Sequence, residues 1–281
     1  MILQTCNQDE YAHLPPSQIV PKLADKGIYI ASEASFYRVL KANSQQKHRG
    51  RQATPGPKRQ PTTHRATGPN QLWSWDITYC PTKTRGLFYY LYMIEDVYSR
   101  KIVGWEIHTA ESGEYASELM QKTAMKEKCF RKPLVLHSDN GSPMKSSTLL
   151  SKLQELGITP SRGRPRVSND NAYSESLFKT MKYMADWPAN GFSSIEQARQ
   201  WVFQFTEGYN NKHCHSGISF VTPSQRHQKQ DEAILIKRRL VYEKARALNP
   251  RRWSRAIRKW IFKTYVTLNP DKLDLQYKRG A

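Results

Sequence analysis

An α/β fold on a mixed sheet, three antiparallel strands plus two parallel ones with helices flanking them, is the architecture this sequence predicts. Three observations predict it. LWSWDITYC (72–80) alternates strictly, with Trp73, Trp75, Ile77 and Tyr79 on one face and Leu72, Ser74, Asp76 and Thr78 on the other. LFYYLYMIEDV and RKIVGWEIH follow at hairpin distance, so three consecutive strands pair antiparallel. Beyond them helix-length and strand-length patterns alternate, which places later strands parallel, behind crossover helices.

The elements follow in order. Residues 1–43 form a small helical unit. Ser17 caps a helix running to about Lys26, Gly27 breaks it, and Ser32 or Ser35 caps a second helix with Phe36, Val39 and Leu40 on one side. Two short helices around a glycine suggest a helix-turn-helix, with Tyr37, Arg38 and Lys41 on the exposed side of the second and available to DNA; a hairpin packed on another element has the same pattern. Residues 44–71 are rich in Pro, Gly, Thr and basic residues without apolar periodicity. They read as a linker whose Lys47, Arg49, Arg51, Lys58 and Arg59 can track phosphates. The core domain spans 72–222. After its three strands come a helix over 111–128, a short buried strand in PLVLHSD, an amphipathic helix ended by Gly157, a last strand in ITPSRG, and helices from Asn171 to Lys212. Residues 223–281 read as a basic helical and β region, where Trp253, Trp260, Phe262 and Tyr265 stand among Arg and Lys. That mixture suits stacking on nucleic acid, and equally a small element using its aromatics as core.

Charge narrows the partners. With 44 Lys+Arg against 24 Asp+Glu, the formal net charge is +20, which favours contact with polyanions, nucleic acid first. The start, MILQTCNQDEY, has no signal-peptide pattern, and no apolar run approaches a membrane span. Cys6, Cys80, Cys129 and Cys214 form no CxxC pair, which argues against a zinc module and a disulfide framework. The expectation is a cytoplasmic protein with reduced thiols.

Against that basic background three acids resist a structural role. Asp76 lies inside an alternating strand, Asp139 directly follows an apolar one in LVLHSDNGSPM, and Glu175 opens a helix in SNDNAYSESLFKTMK, where Asn169 or Asp170 is the expected cap. Strand ends and a helix N-terminal turn can converge on one edge of a sheet, the edge where ligands bind in α/β folds. Clustered carboxylates repel one another unless cations hold them, and hard divalent ions, Mg²⁺ or Mn²⁺, take oxygen ligands. Taken alone, Asp139 before Asn-Gly is an ordinary turn residue; the other two acids change its weight. Asp96 reads as a turn acid stabilising Ser99–Arg100.

The segments WSWDITY, LHSDNGSPM and SNDNAYSESLFKTMK resemble bacterial insertion-sequence transposases of the second-reading-frame (OrfB) class, whose catalytic core is of the retroviral-integrase type. The similarity extends from the helical start through Pro223. It implies a ribonuclease-H-like fold and an Asp-Asp-Glu triad at Asp76, Asp139 and Glu175 holding two Mg²⁺ ions. It also implies metal-dependent cleavage and strand transfer at element ends, assembly as a homo-multimer on double-stranded DNA, and fusion or partnership with an upstream-frame protein, in a bacterial cytoplasm at the nucleoid. A nuclease of the same fold and a non-catalytic element-derived DNA-binding regulator are the alternatives.

Neighbouring residues take supporting expectations. His137 shares strand parity with Asp139 and is expected as a neutral imidazole hydrogen-bonded beside the metal edge. Asn140 shapes the turn, and Gly141 allows close backbone approach. Lys179 and Lys182 follow Glu175 at i+4 and i+7 on one helical face, where DNA passes or where water does; the family uses a basic residue at the Lys182 position for the transposon end. Arg162, Arg164 and Arg166 are expected in a mobile basic loop over the site. YNNKHCHSGISFVTPSQRH matches the family's downstream motif at Tyr209, Asn210, His215, Ser216 and Pro223, with His213 where an Arg is usual. The His-x-His pair reads as packing, since no Cys or carboxylate accompanies it.

Overall fold

The structure, a computed structural model, describes residues 1–46, 62–164 and 168–270. It divides into two units, Met1–Arg59 and Gln60–Ala281.

The first unit holds three helices, α1 (Ile2–Cys6), α2 (Pro16–Asp25) and α3 (Glu33–Ala42). Their apolar faces meet in one small core of Cys6, Tyr11, Ile19, Leu23, Phe36 and Leu40. Helix α2 starts at Pro16, where the missing N–H costs nothing, rather than two residues later under a Ser17 cap. Residues 26–32 join α2 to α3, a longer connection than the three to four residues of a DNA-reading helix-turn-helix. Gly27 does take the left-handed conformation (φ +73°). Ser32 is the N-terminal boundary of α3, but its hydroxyl meets that of Ser35 and caps no backbone N–H. Arg38 and Lys41 are exposed, whereas Tyr37 is half-buried. The expected phosphate-tracking Lys47, Arg49, Arg51, Lys58 and Arg59 lie outside the described residues.

The second unit begins with β1 (His64–Ala66), followed by β2 (Leu72–Pro81), β3 (Phe88–Asp96), β4 (Ile102–His108), α4 (Gly113–Lys126), β5 (Leu134–Ser138), α5 (Ser147–Leu156) and β6 (Ile158–Arg162). Helices α6 (Ala172–Lys182), α7 (Ile195–Asn211), α8 (Pro223–His227) and α9 (Asp231–Leu248) and strand β7 (Val266–Leu268) complete it. The main sheet runs β4-β3-β2-β5-β6. β2, β3 and β4 pair antiparallel, and β5 and β6 join β2 in parallel. The predicted mixed sheet is the observed one.

Helices cover both faces. Trp73, Trp75, Tyr92 and Ile94 pack beneath α4 and α5 against Leu119, Leu149 and Leu153. On the opposite face Leu91, Met93 and Ile107 meet Leu177, Met181, Val202 and Phe205 of α6 and α7. Tyr79, on the Trp73–Trp75 face, has run past that cover and is 52% exposed. Ser112 and Ser146 cap α4 and α5 by accepting from Glu114 N and Leu149 N. Gly157 ends α5 at φ +73°, which favours glycine.

The tail of the expected linker is strand: β1 pairs antiparallel with β7 and closes over Leu72, Val97 and Tyr98. The aromatics of the C-terminal region largely pack. Trp260 and Phe262 cover Ile218, Val221 and Leu235, Trp253 meets Tyr242 edge to face, and Tyr265 carries the Arg65 guanidinium at 3.5 Å. No helix among the described residues is long and apolar enough to cross a membrane.

One buried cation fastens this region to the core. Arg226 donates to Asp231 Oδ2 (2.6 Å), Tyr98 O (2.8 Å) and Lys263 O (2.8 Å), with its guanidinium 4.1 Å from the Tyr98 ring centre. The two side chains are 1% and 2% exposed. Removing one partner strands a buried charge, so Arg226→Ala should lose about 3–5 kcal/mol in urea unfolding. Arg226→Met with Asp231→Leu should recover most of that loss; equal losses in the single and double variants would contradict this account.

Candidate active site

The parallel pairing of β2 with β5 aligns Ser74 with His137, so both strands run toward the same edge, Asp76 two residues beyond Ser74 and Asp139 two beyond His137. Asp76 is half-buried in β2, Asp139 is exposed just past β5, and Glu175 is exposed in the first turn of α6. The three acids share one electrostatic neighbourhood. Burial raises the Asp76 carboxyl to about 7, and the charges of Asp139, Glu175 and Glu111 push the same way. The bond that Asp76 Oδ1 accepts from Ile77 N (2.8 Å) opposes the shift. Glu111, just before α4, is an acid the sequence pattern did not single out.

Asp76 and Asp139 are each anchored by a backbone N–H. Asp139 Oδ1 accepts from Gly141 N at 2.9 Å, and Asn140 Nδ2 donates to Gly163 O at 2.7 Å, tying the turn to the end of β6. A Cβ on Gly141 would come within 2.8 Å of Met144 Sδ and 3.2 Å of Asp139 Oδ1, the close approach for which glycine was expected. Glu175 is placed by a buried knot between α6 and β2. Ser74 Oγ donates to Asn171 Oδ1 (2.6 Å) and meets Ser174 Oγ (2.6 Å), while Asn171 Nδ2 donates to Trp75 O (3.2 Å). The sequence showed Ser74 on the Asp76 face and gave no sign of its partners 97 and 100 residues away.

The donor chemistry suits a hard cation, since all three side chains offer carboxylate oxygens. Among the described residues, however, no group of three or more His, Cys, Asp or Glu is drawn together tightly enough to hold a metal ion.

Among the neighbours, Asp170 and Arg164 depart from expectation. His137 is fully buried with both nitrogens engaged, Nδ1 with Ser161 Oγ (3.0 Å) and Nε2 with Asp170 O (3.0 Å). It therefore braces β5 against β6 and the turn before α6, and it makes no hydrogen bond to Asp139. Burial lowers it to about 4, so the ring is neutral. Asp170 is not the α6 cap; Asn171 stands at that boundary. Asp170 instead accepts from Arg164 N (2.7 Å), Nε (3.0 Å) and Nη2 (2.9 Å). Arg164 is thereby pinned, and Arg162 belongs to β6, where Nη2 donates to Met144 O (3.3 Å). Arg166 lies outside the described residues. Lys179 and Lys182 are exposed on α6, Lys179 5.8 Å from the Tyr183 ring centre and Lys182 near enough to Cys80 to act on its thiol. Asp96 accepts from Ser99 N (2.8 Å) and Ser99 Oγ (2.6 Å), as a turn acid does. His213 stacks on Tyr209 with ring centres 5.3 Å apart.

Two models described as Integrase core domain match the chain, one over residues 66–168 and one over 156–223. Among curated relatives, the transposase for insertion sequence element IS904 of Lactococcus lactis subsp. lactis (strain IL1403) is 37% identical over 161 residues, 57% of this chain and 62% of that protein. Transposase InsF for insertion sequence IS3A of Escherichia coli (strain K12) is 30% identical over 161 residues, 57% of this chain and 54% of that protein. The chain thus matches little more than half the length of these relatives. Among solved structures, a simian T-cell lymphotropic virus intasome in complex with the PP2A regulatory subunit B56 gamma aligns with 75% of this chain and 74% of that chain. The identity is 16% and the TM-score 0.47.

Two outcomes follow from the geometry. The Asp76 carboxyl ordinarily titrates at 3.8 and here near 7. The folded state therefore keeps a proton that the unfolded chain releases, and the stability this supplies is full below about pH 4 and lost as pH rises through 7. In chelator, Asp76→Asn, uncharged throughout, should exceed the parent by about 1–2 kcal/mol at pH 8 and match it near pH 4; a pH-independent difference counts against the coupling. Asn171→Ala leaves the Ser74 hydroxyl and the Trp75 carbonyl short of a partner and should lose about 2–3 kcal/mol in the same unfolding measurement.

Proposed function

From the integrase core domain of the insertion-sequence transposase kind that this chain carries, we propose that it is the catalytic subunit of a DNA transposase. It cleaves phosphodiesters at the ends of a mobile element and joins them to target DNA, with the chemistry in residues 72–222. The observation that carries the reading is the coupling of Asp76 to Asp139 and Glu175 across β2, the end of β5 and the start of α6.

Asp76, Asp139 and Glu175 would hold two Mg²⁺ or Mn²⁺ ions, whose charge would supply activation of the attacking hydroxyl and stabilisation of the leaving oxygen at the scissile phosphodiester. Asp76 must give up its proton to serve as a ligand. Bringing the Asp139 and Glu175 carboxylates up to it would be favourable only where positive charge offsets their mutual repulsion. Lys179 and Lys182, one and two turns beyond Glu175 on α6, draw the DNA backbone toward that edge, and Arg162 and Arg164 flank it from the end of β6. Asn140 holds the Asp139 turn, and His137 holds the strand and the turn that precedes α6. Water, then a 3′-hydroxyl, attacks in line without a covalent enzyme intermediate.

The net charge of +20 fits double-stranded DNA as the partner. Assembly as a homo-multimer on paired element ends, partnership with an upstream-frame protein, DNA contacts from Arg38 and Lys41, and residence at the bacterial nucleoid belong to the same proposal.

The test is a strand-transfer assay in Mg²⁺ on duplexes cut from the DNA on either side of the gene, where the proposal expects inverted repeats. Cleaved and joined products are expected. Asp139→Asn and Glu175→Gln should each reduce both by about 10³-fold or more, the several kcal/mol that charge stabilisation at the reacting phosphate supplies. Cleavage without joined product would assign a nuclease; duplex binding with neither product would assign a DNA-binding regulator.

A further inference from the structure

A cavity of 230 Å³ lies between the β3–β4 turn and α6. It is separate from the acids: Tyr173, Ser176 and Thr180 line it on one face of α6, whereas Glu175, Lys179 and Lys182 form another row of that helix and do not line it. Glu95, Arg100, Tyr209 and His215 supply the remaining polar wall.

Two of these groups each carry a buried atom without a hydrogen-bond partner. Glu95 is 2% exposed, and its Oε2 has no hydrogen-bond partner; neither has the buried Nε of Arg100. The Arg100 guanidinium lies 3.9 Å from the Tyr173 ring centre, and among the described residues no acceptor engages any of its N–H groups. It influences Glu95 through space without bonding it. Arg100 also occupies a left-handed position, φ +68°, where a side chain is strained and glycine is not. The turn accepts that strain with a guanidinium that meets no protein acceptor.

The remaining groups are donors. His215 Nδ1 accepts from Gly217 N at 3.0 Å, so its proton sits on Nε2. Tyr209, 4% exposed, and Ser176 carry hydroxyls without protein partners among the described residues. Burial raises Glu95 to about 8, against the opposing charge of Arg100 and with that of Asp96, so at neutral pH its carboxyl is largely an O–H donor as well. One fixed positive charge ringed by donors is complementary to an oxyanion, and the planar Arg fork matches phosphate oxygens.

We propose that this cavity binds a phosphoryl oxyanion gripped by Arg100 and the surrounding hydroxyl and N–H donors, and that in the DNA complex the oxyanion is a backbone phosphate of a strand running along α6. The choice of DNA as source rests on the function proposed above; the oxyanion site itself does not.

The test uses the full chain in chelator. Labelled duplexes of two unrelated sequences are followed by fluorescence anisotropy across a salt series, and inorganic phosphate is followed by ³¹P line broadening. Arg100→Gln should weaken both duplexes alike and reduce the magnitude of the log-affinity against log-salt slope by about 1. It should also abolish the phosphate broadening seen with the parent. Ser176→Phe leaves Arg100 in place and fills the cavity mouth, so the same losses there show that the effect is not misfolding of the first variant. Unchanged duplex binding in Ser176→Phe, with no broadening by the parent, overturns the site and leaves DNA binding standing. Broadening that depends on Arg100 without a change in duplex affinity assigns the site to free phosphate and overturns the backbone contact. A parent that binds neither duplex but broadens phosphate through Arg100 overturns the DNA reading and keeps the oxyanion site.

Discussion

The hydrogen bond from Ser74 to Asn171 is the constraint on which the arrangement of this edge depends. A serine hydroxyl has one proton, and Ser74 gives it to Asn171 Oδ1; Ser174 must therefore donate to Ser74. Asn171 Nδ2 is committed to Trp75 O, which fixes the amide orientation. The same directional logic runs through the adjacent residue. Asp170 O can only accept, so His137 donates to it from Nε2, its Nδ1 accepts from Ser161, and His64 Nε2 donates to Ser161 Oγ. Asn269 Nδ2 also donates to Asp170 O. One short turn before α6 is thus bonded to β2, β5 and the residue after β7. Apolar packing alone would let an amphipathic helix slide or rotate on the sheet by a fraction of a turn; these bonds give α6, and with it Glu175, a single setting relative to Asp76.

Charge is distributed by the same economy of partners. Four well-buried acids away from the site have dedicated donors. Asp96 is held by Ser99 and Asn70 N, Asp170 by Arg164, and Asp231 by Arg226. Glu127, despite burial, is held down to about 2 by His227 and Lys101. Asp76 has no cation of its own, only Ile77 N, and its relief near neutrality is a proton. Glu95 likewise has a buried oxygen without a hydrogen-bond partner, so in a chain of net charge +20 these two acids stand apart from the four that are paired.

How much of this the sequence disclosed depended on the range of the interaction. The alternation of Trp73, Trp75 and Ile77 reported a strand, though not that its first residues are covered on both faces, and Gly157 reported a helix end, because both signals are local. Asp139 and Gly141 were legible for the same reason, as a turn at the end of an apolar run. The Ser74–Asn171 bond was not, since its partners are 97 residues apart and neither is unusual in its own segment. Asp170 looked like a cap because acids commonly cap helices; its salt bridge to Arg164 was the stronger claim on it. β1 and β7 are three residues each, too short to show a period, and they pair across about two hundred residues of chain.

The β3–β4 turn draws these themes together. Asp96 closes it by accepting from Ser99 N and Ser99 Oγ, and Ser99 Oγ lies 2.9 Å from His227 Nδ1, so the turn is bound to α8. His227 Nε2 meets Glu127 at 3.0 Å, past the end of α4. The turn is therefore gripped from two helices while its last residue, Arg100, stands in a left-handed conformation against Tyr173. Rigid backbone with an unpaired guanidinium is the opposite of a surface arginine, which wanders in water and pairs opportunistically at little gain. Because Tyr173 precedes Glu175 by two residues on α6, the helix that positions the third acid also fixes Arg100. A ligand held by Arg100 and one held by the acids would consequently sit at a distance set by a single helix, not by the slack of two independent loops.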